Sequence, residues 1–271
     1  MTDYCIRTLN AADLPGLKDF APAEWNTDLS ITFSFHFGQP YFYPIGCEID
    51  GKIVGCANGL QHGKTGWFGN IIVLPEYRGR GIGRMLTHHL ANYFDERGVI
   101  HQLLIATKMG EPLYRMAGFA LVSQYVFLKP SDAVLPDPAK RCRTIQVEDA
   151  GAILELDQAV TGEQRSPFIS RYWQDGWVHT TPAGTLDGYY LPRLAHGLVI
   201  AANDEAGLDL LRIKIGLGIG AMGVPEQNYA ALEFLQANGY VETARAPRMC
   251  RGQEVAWQPE RIYARGSGFC G

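Results

Sequence analysis

The stretch Pro75-Glu-Tyr-Arg-Gly-Arg-Gly-Ile-Gly-Arg-Met-Leu86 sets three glycines and three arginines between an apolar run, residues 70–74, and a helical pattern that opens at Ile82. Glycine enters positive φ without steric cost, so alternating glycines let successive backbone amides curl toward one point, and a helix starting there adds its positive end. Arg78, Arg80 and Arg84 add charge of the same sign. The stretch therefore reads as a loop built to hold an anion. A nucleoside-triphosphate loop would need Lys-Ser/Thr after its last glycine, whereas Gly83 is followed by Arg84-Met85. A dinucleotide loop counted from Gly79 would need glycine where Arg84 stands, with an acidic residue closing a second strand about 20 residues on, and neither is present.

Working outward, the pattern alternates strand and helix. A strand over 4–8 leads into a helix capped by Asn10, and strands over 45–49, 53–60 and 67–74 follow, the first two joined by a hairpin turn at Asp50-Gly51-Lys52. Cys47 and Cys56 flank that turn and could face one another across it. From Ile82, the residues Met85, Leu86, His89, Leu90, Tyr93 and Phe94 recur at helical spacing until Gly98. A strand over 99–106, a short helix opened by Pro112 and closed by Gly118, and a strand over 119–128 complete the unit. A meander followed by strand, helix, strand, helix, strand implies an α/β fold on a mixed, mostly antiparallel sheet flanked by helices.

The unit occurs twice. Arg7-Thr8-Leu9 before Asp13 is echoed by Arg143-Thr144-Ile145 before Asp149 at an offset of 136, and Tyr114 to Gly118-Phe119 by Leu235 to Gly239-Tyr240 at an offset of 121, so the second copy is 15 residues shorter between these landmarks. The proline-rich segment 129–140 reads as an extended connection. The expected organisation is a first domain over 1–130, a linker over 131–140 and a second domain over 141–271.

Arg78-x-x-Gly81-x-Gly83, directly after a strand and before a long helix, resembles the coenzyme A pyrophosphate loop of the GCN5-related N-acetyltransferases. Leu113-Tyr114-x-x-x-Gly118-Phe119 is similar to that family's second landmark. The resemblance implies two tandem acetyltransferase folds and acetyl-CoA as cosubstrate, held by Arg78, Gly79, Arg80, Gly81, Ile82, Gly83 and Arg84. The pantetheine arm would pair with the backbone of Ile71, Ile72 and Val73 where two strands splay, and Tyr114 would protonate the departing thiolate. In the second copy the strand at 198–202 is followed by Asn203-Asp-Glu-Ala-Gly207, with acids where phosphates need donors, and Leu235 replaces the tyrosine. That copy is expected to bind no acyl donor and instead to shape the acceptor pocket or dimerise.

The general base is less legible. Residues 67–74 and 99–106 contain no acid, which leaves a water relay or Glu24, Asp28 or His62 from elsewhere. The segment 22–44 carries Trp25, Phe33, Phe35, Phe37, Tyr41, Phe42 and Tyr43, the acceptor wall by resemblance; the alternation of Phe33, Phe35 and Phe37 reads as the core face of a strand. The run Arg171 to Trp177 is equally aromatic. His88 and His89 are adjacent and lack the i, i+4 spacing of a helical metal pair, so no metal is expected.

Composition agrees. A net charge of −4 offers no basic field for nucleic acid, no apolar run approaches the roughly 18 residues of a membrane span, and six scattered cysteines form no Cys-x-x-Cys pair, which together imply reduced thiols and a cytoplasmic chain. The sequence reading is an acetyl-CoA-dependent N-acetyltransferase acting on a small or amino-acid-like amine. A protein or peptide amine is the nearer alternative, and a non-catalytic acyl-CoA sensor the one from a different class.

Overall fold

The computed structural model describes the chain apart from residues 1–3, 26, 133–135, 138, 219 and 271 and the side chain of Glu24. Part of the linker expected over 131–140 thus lies outside the described residues. The first half runs β1 (Cys5–Thr8), a 3-10 helix (Ala11–Leu17), α1 (Leu29–His36), β2 (Phe42–Ile49), β3 (Lys52–His62), β4 (Thr65–Val73), α2 (Ile82–Glu96), β5 (His101–Ile105), α3 (Glu111–Met116) and β6 (Ala120–Pro130). The second runs β7 (Cys142–Thr144), α4 (Ala150–Thr161), α5 (Ser166–Ile169), β8 (Trp177–Thr180), β9 (Leu186–Leu191), β10 (Leu198–Ala201), α6 (Asp204–Gly216), β11 (Met222–Pro225), α7 (Tyr229–Ala237), β12 (Tyr240–Gly252) and β13 (Ile262–Ala264).

The internal echo has an atomic form. Arg7 makes a bidentate pair with Asp13 at 2.8 and 2.8 Å, and Asp13 accepts from the Asn10 amide at 2.7 Å. Arg143 repeats this on Asp149 at 2.7 and 2.7 Å, and Asp149 accepts from the Gln146 amide at 2.7 Å. In each copy the guanidinium hydrogen bonds hold the carboxyl below the usual carboxylate range. The first helix of copy one is 3-10 and encloses Pro15, which has no amide to donate.

The halves are joined through their sheets. The larger sheet has the order β1-β2-β3-β4-β5-β12-β6-β11, so β12 of the second half lies between β5 and β6, and β6 of the first lies between β12 and β11. Every one of these junctions is antiparallel: Cys250 faces Leu103, Ala246 faces Tyr125, and Val224 faces Val126. Each half thus completes the other's sheet. The smaller sheet, β13-β10-β9-β8-β7, belongs to the second half alone.

Three apolar cores follow. One places Phe68, Leu104 and Met249 against Leu86, Leu90 and Phe94 of α2; one places Val126 and Leu128 against Leu210 and Leu235 of α6 and α7. The third is shared, joining Leu17, Phe33, Trp67 and Ile72 of the first half to Ile153, Phe168, Tyr189 and Ile262 of the second.

Two expectations are corrected. Residues 29–36 form a helix rather than a strand, because Asp28 caps it by accepting from Ser30 at 2.8 Å and the buried set is Leu29, Phe33 and His36, at helical spacing. Phe35 is left 40% exposed. Cys47 and Cys56 do not face one another. The two-residue turn at Asp50 and Gly51, φ 49° and 77°, pairs Ile49 with Lys52, and a bulge between Glu48 and Cys47 then pairs Cys47 with Gly55 and Gly46 with Cys56. The thiols fall into different cores, Cys47 on the α2 side and Cys56 on the shared side.

Candidate active site

Strands β4 and β5 pair in parallel only over Thr65–His101, Gly66–Gln102 and Trp67–Leu103. Beyond Trp67 they part, leaving residues 68–73 of β4 with β3 on one edge and no partner from β5 on the other. Within this opened stretch Asn70 has φ 50°, the pairing with β3 shifts register between Cys56 and Asn58, and Asn70 donates to the Asn58 side chain at 2.7 Å. Ile71 and Val73 then face the α2 core and Ile72 the shared core. On the shared-core side Phe269 packs against Gly69 of this stretch.

The anion loop lies at the end of this gap. Gly79 and Gly81 have φ 75° and 81°, and a Cβ on either would meet nothing within 4 Å, so these glycines serve the backbone turn and the space beside them is open. Gly81 is the N-cap of α2 and no side chain caps the first turn, whose amides are therefore available to a ligand. Arg78 donates Nε to the Val73 carbonyl at 3.0 Å, and Arg80 donates to the Glu76 carbonyl at 3.2 Å and stands over the Tyr77 ring. These two guanidiniums are tethered to the strand end and the loop. None of Arg78, Arg80 and Arg84 has a carboxylate within salt-bridge distance among the described residues. Ile82 is buried beneath the loop, and Gly83 leaves room for Leu113 of α3 at 3.5 Å from where its Cβ would stand.

Tyr114 sits on α3, 9% exposed, packed edge-on to Phe119, with burial pushing its phenol up to about 12. It shares the α2-side core with Ile71, Val73 and Leu113. The sequence-predicted residues Ile71, Val73, Ile82 and Tyr114 thus meet in one cluster, with Gly83 against Leu113 at its edge.

Among the described residues the second half has no such opening. Asn203, the second of the two residues between β10 and α6, caps α6 directly, so residues 202–203 stand where the first half has the loop 74–81. The place of the gap is taken by β13, which pairs with β10 and continues into an Arg265 amide bond to the Gly223 carbonyl of β11 at 2.8 Å. Tyr263 of β13 packs where a Gly207 Cβ would stand and donates to Asp204 in the first turn of α6 at 2.5 Å.

The proposed bases fare unequally. Asp28 is committed to Ser30 as a helix cap, which lowers its proton affinity. His62 is 2% exposed among aromatic rings, and burial pushes it down to about 3, so it is a neutral core imidazole. The side chain of Glu24 lies outside the described residues. A carboxylate does reach β4 from the second half: Glu163, 2% exposed, accepts from Trp67 Nε1 at 2.8 Å, at the last paired residue before the strands part. Burial raises its pKa. No sequence spacing points to it, since it lies 96 residues from its partner. Asn58, fully buried beside the bulge with Nδ2 unpartnered, was equally invisible.

The aromatic segments meet one another. His36 of α1 lies between the Tyr41 hydroxyl at 3.2 Å and the Tyr172 hydroxyl at 2.9 Å and stacks on Phe168, while Arg171 donates to the Phe35 carbonyl at 2.6 Å and covers its ring. The second half thereby closes over α1.

Comparison with known proteins agrees with this geometry. Residues 13–119 match the Acetyltransferase (GNAT) family profile, and residues 153–264 match a second profile described as an Acetyltransferase (GNAT) domain. The chain is 37% identical over 236 residues to the uncharacterized N-acetyltransferase YitH of Bacillus subtilis (strain 168), covering 80% of each. A putative acetyltransferase from Pyrococcus horikoshii has the same fold, with a TM-score of 0.85 at 18% identity over 99% of this chain and 96% of that one. A tandem GNAT protein from the clavulanic acid biosynthesis pathway also superposes, with a TM-score of 0.63 at 15% identity over 92% and 98%. Among the described residues no helix is long and apolar enough to cross a membrane. The chain belongs to the GNAT acetyltransferase family and carries two GNAT domains.

Proposed function

We propose that this protein is an acetyl-CoA-dependent N-acetyltransferase that modifies a small amine, with one working donor site, in the first half. The observation that carries the reading is the asymmetry between the copies: an open strand gap beside an uncapped, arginine-rimmed helix start in the first, and the same gap filled by β13 and Tyr263 in the second. The donor supplies an acetyl group activated as a thioester. The amides at the start of α2 and Arg78, Arg80 and Arg84 hold its diphosphate, and the edge of Ile71, Ile72 and Val73 that faces away from β3 aligns its arm and polarises the carbonyl. Tyr114, protonated across the physiological range, gives its proton to the leaving sulfur. Glu163, kept basic enough by burial, accepts the proton that the attacking amine loses. The second half contributes the acceptor wall. Its aromatic closure over α1 and the supply of a carboxylate to β4 support that role, and favour catalysis over a passive acyl-CoA sensor.

The test is thiol release from acetyl-CoA across a panel of amines, beside the Glu163→Gln variant. Turnover of at least one small amine, reduced on the order of 100-fold in the variant, is expected. Tight donor binding with no turnover on any amine would return the sensor reading.

A further inference from the structure

Among the described residues, two arginines of the interior have no carboxylate within salt-bridge distance. Arg248 on β12 is 2% exposed and Arg265, directly after β13, is 7% exposed. Nε and Nη2 of Arg248, and Nε and Nη1 of Arg265, are buried without a hydrogen-bond partner. The contrast within the same core is Arg165, which holds Asp157 through two bonds of 2.9 and 2.8 Å and donates to the Cys270 carbonyl at 2.6 Å. Burying a guanidinium without an anion costs several kcal/mol, so such a group is retained where something supplies the missing charge. Desolvation accordingly lowers the proton affinity of Arg265.

The two side chains share one wall. Arg248 lies on Trp257 at 3.7 Å and near Trp67 at 5.1 Å; Arg265 lies on Phe127 at 4.7 Å and near Tyr125 at 5.9 Å. The Tyr125 and Trp257 rings, 6.5 Å apart, join the pairs. Along β6, Arg248 stands opposite Ser123, while the Arg265 amide bonds Gly223, which is opposite Phe127. The guanidiniums thus flank Tyr125, whose hydroxyl is also buried and unpartnered. The acid that faces Arg248 is Glu163, already bonded to Trp67 and beyond salt-bridge distance. This wall belongs to the sheet face that carries Trp67, the last residue of β4 paired with β5, opposite the face packed by α2 and Tyr114.

We propose that Arg248 and Arg265, with the Tyr125 hydroxyl, bind an oxyanion carried by the acceptor, a carboxylate or a phosphate, so that the enzyme selects amines bearing a negative group. This inference rests on the acetyl-transfer reading for its use of the site, but the anion site can be measured without the donor. Calorimetry on the full chain compares glycine with glycinamide, and O-phosphoethanolamine with ethanolamine, the two pairs separating carboxylate from phosphate. At least one anionic amine is expected to bind about 100-fold more tightly than its neutral partner, and Arg265→Met to remove that preference. The same variant should melt no lower than the parent without ligand, since it removes an unpaired buried charge; a merely structural arginine would give a lower melting temperature. Arg248→Met serves as the second variant, judged by the same two readouts. Equal binding of charged and neutral amines, or a charge preference unchanged in both variants, overturns the proposal. Acetyl-CoA titrated separately tells the failures apart: donor binding with no charge preference sinks the anion site alone, whereas a charge preference without donor binding leaves it standing and sinks the acetyl-transfer reading.

Discussion

Tyr114, the proposed proton donor, shows what burial does to a phenol. Enclosed by Phe119 and by the open side of Gly110, its phenol is held up to about 12 and stays protonated wherever an amine would be free to attack. Tyr114→Phe should preserve the packing and lower kcat by about 100- to 1000-fold, with donor affinity unchanged, as read by thiol release and calorimetry. Parental turnover in this variant would reduce Tyr114 to a packing residue. At this scale the sequence was readable where a residue type has one physical reason to be present. Gly79 and Gly81 sit at positive φ, as an anion loop needs, and Asp13 and Asp149 return as matching arginine partners. Glu163, Arg248 and Arg265 were not readable, because their partners arrive from distant parts of the chain.

Among the elements, α1 is the one the sequence misplaces. Its Phe-Ser-Phe alternation mimics a strand, but the cap at Asp28 and the Leu29, Phe33, His36 set decide for a helix. That helix places His36 between two tyrosine hydroxyls, buried and held down to about 4, with His62 nearby at about 3. Both ordinarily titrate near 6.5, so between about pH 3 and 6.5 the unfolded chain binds more protons than the folded one. The stability that neutral imidazoles allow is complete above 6.5 and is lost as pH falls toward 4. Denaturant melts at pH 7 and pH 4.5 should therefore differ, and His36→Gln should shrink the difference by on the order of 2 kcal/mol. An identical pH dependence in the variant would show that His36 does not carry it. The glycine loop makes its own prediction: Gly81→Asp sets a carboxylate against the expected phosphates and strains a backbone at φ 81°, and should abolish acetyl-CoA binding while the fold persists.

Across the whole molecule, the duplication is visible in the sequence but the exchange is not. The sequence marks residues 119–128 as a strand, yet nothing in that segment names its neighbours, and the structure sets it between β12 and β11. A chain cut in the linker would leave β6 and β12 with long unpaired edges and open the shared core. Residues 1–140 expressed alone should aggregate or remain unfolded, while the full chain unfolds in a single transition by circular dichroism; a soluble, cooperatively folded fragment would show the halves to be independent. The exchange also bears on function. It fixes Arg248 beside Trp67, while β13 fills the second half's gap, and under the proposed function one copy holds the donor and the other supplies buried charge.

Calorimetric titration of acetyl-CoA into the full chain tests this division of labour most directly. One donor bound per chain, lost in Gly81→Asp, is the expected result. Two donors per chain, or one whose affinity Gly81→Asp leaves unchanged, would contradict it.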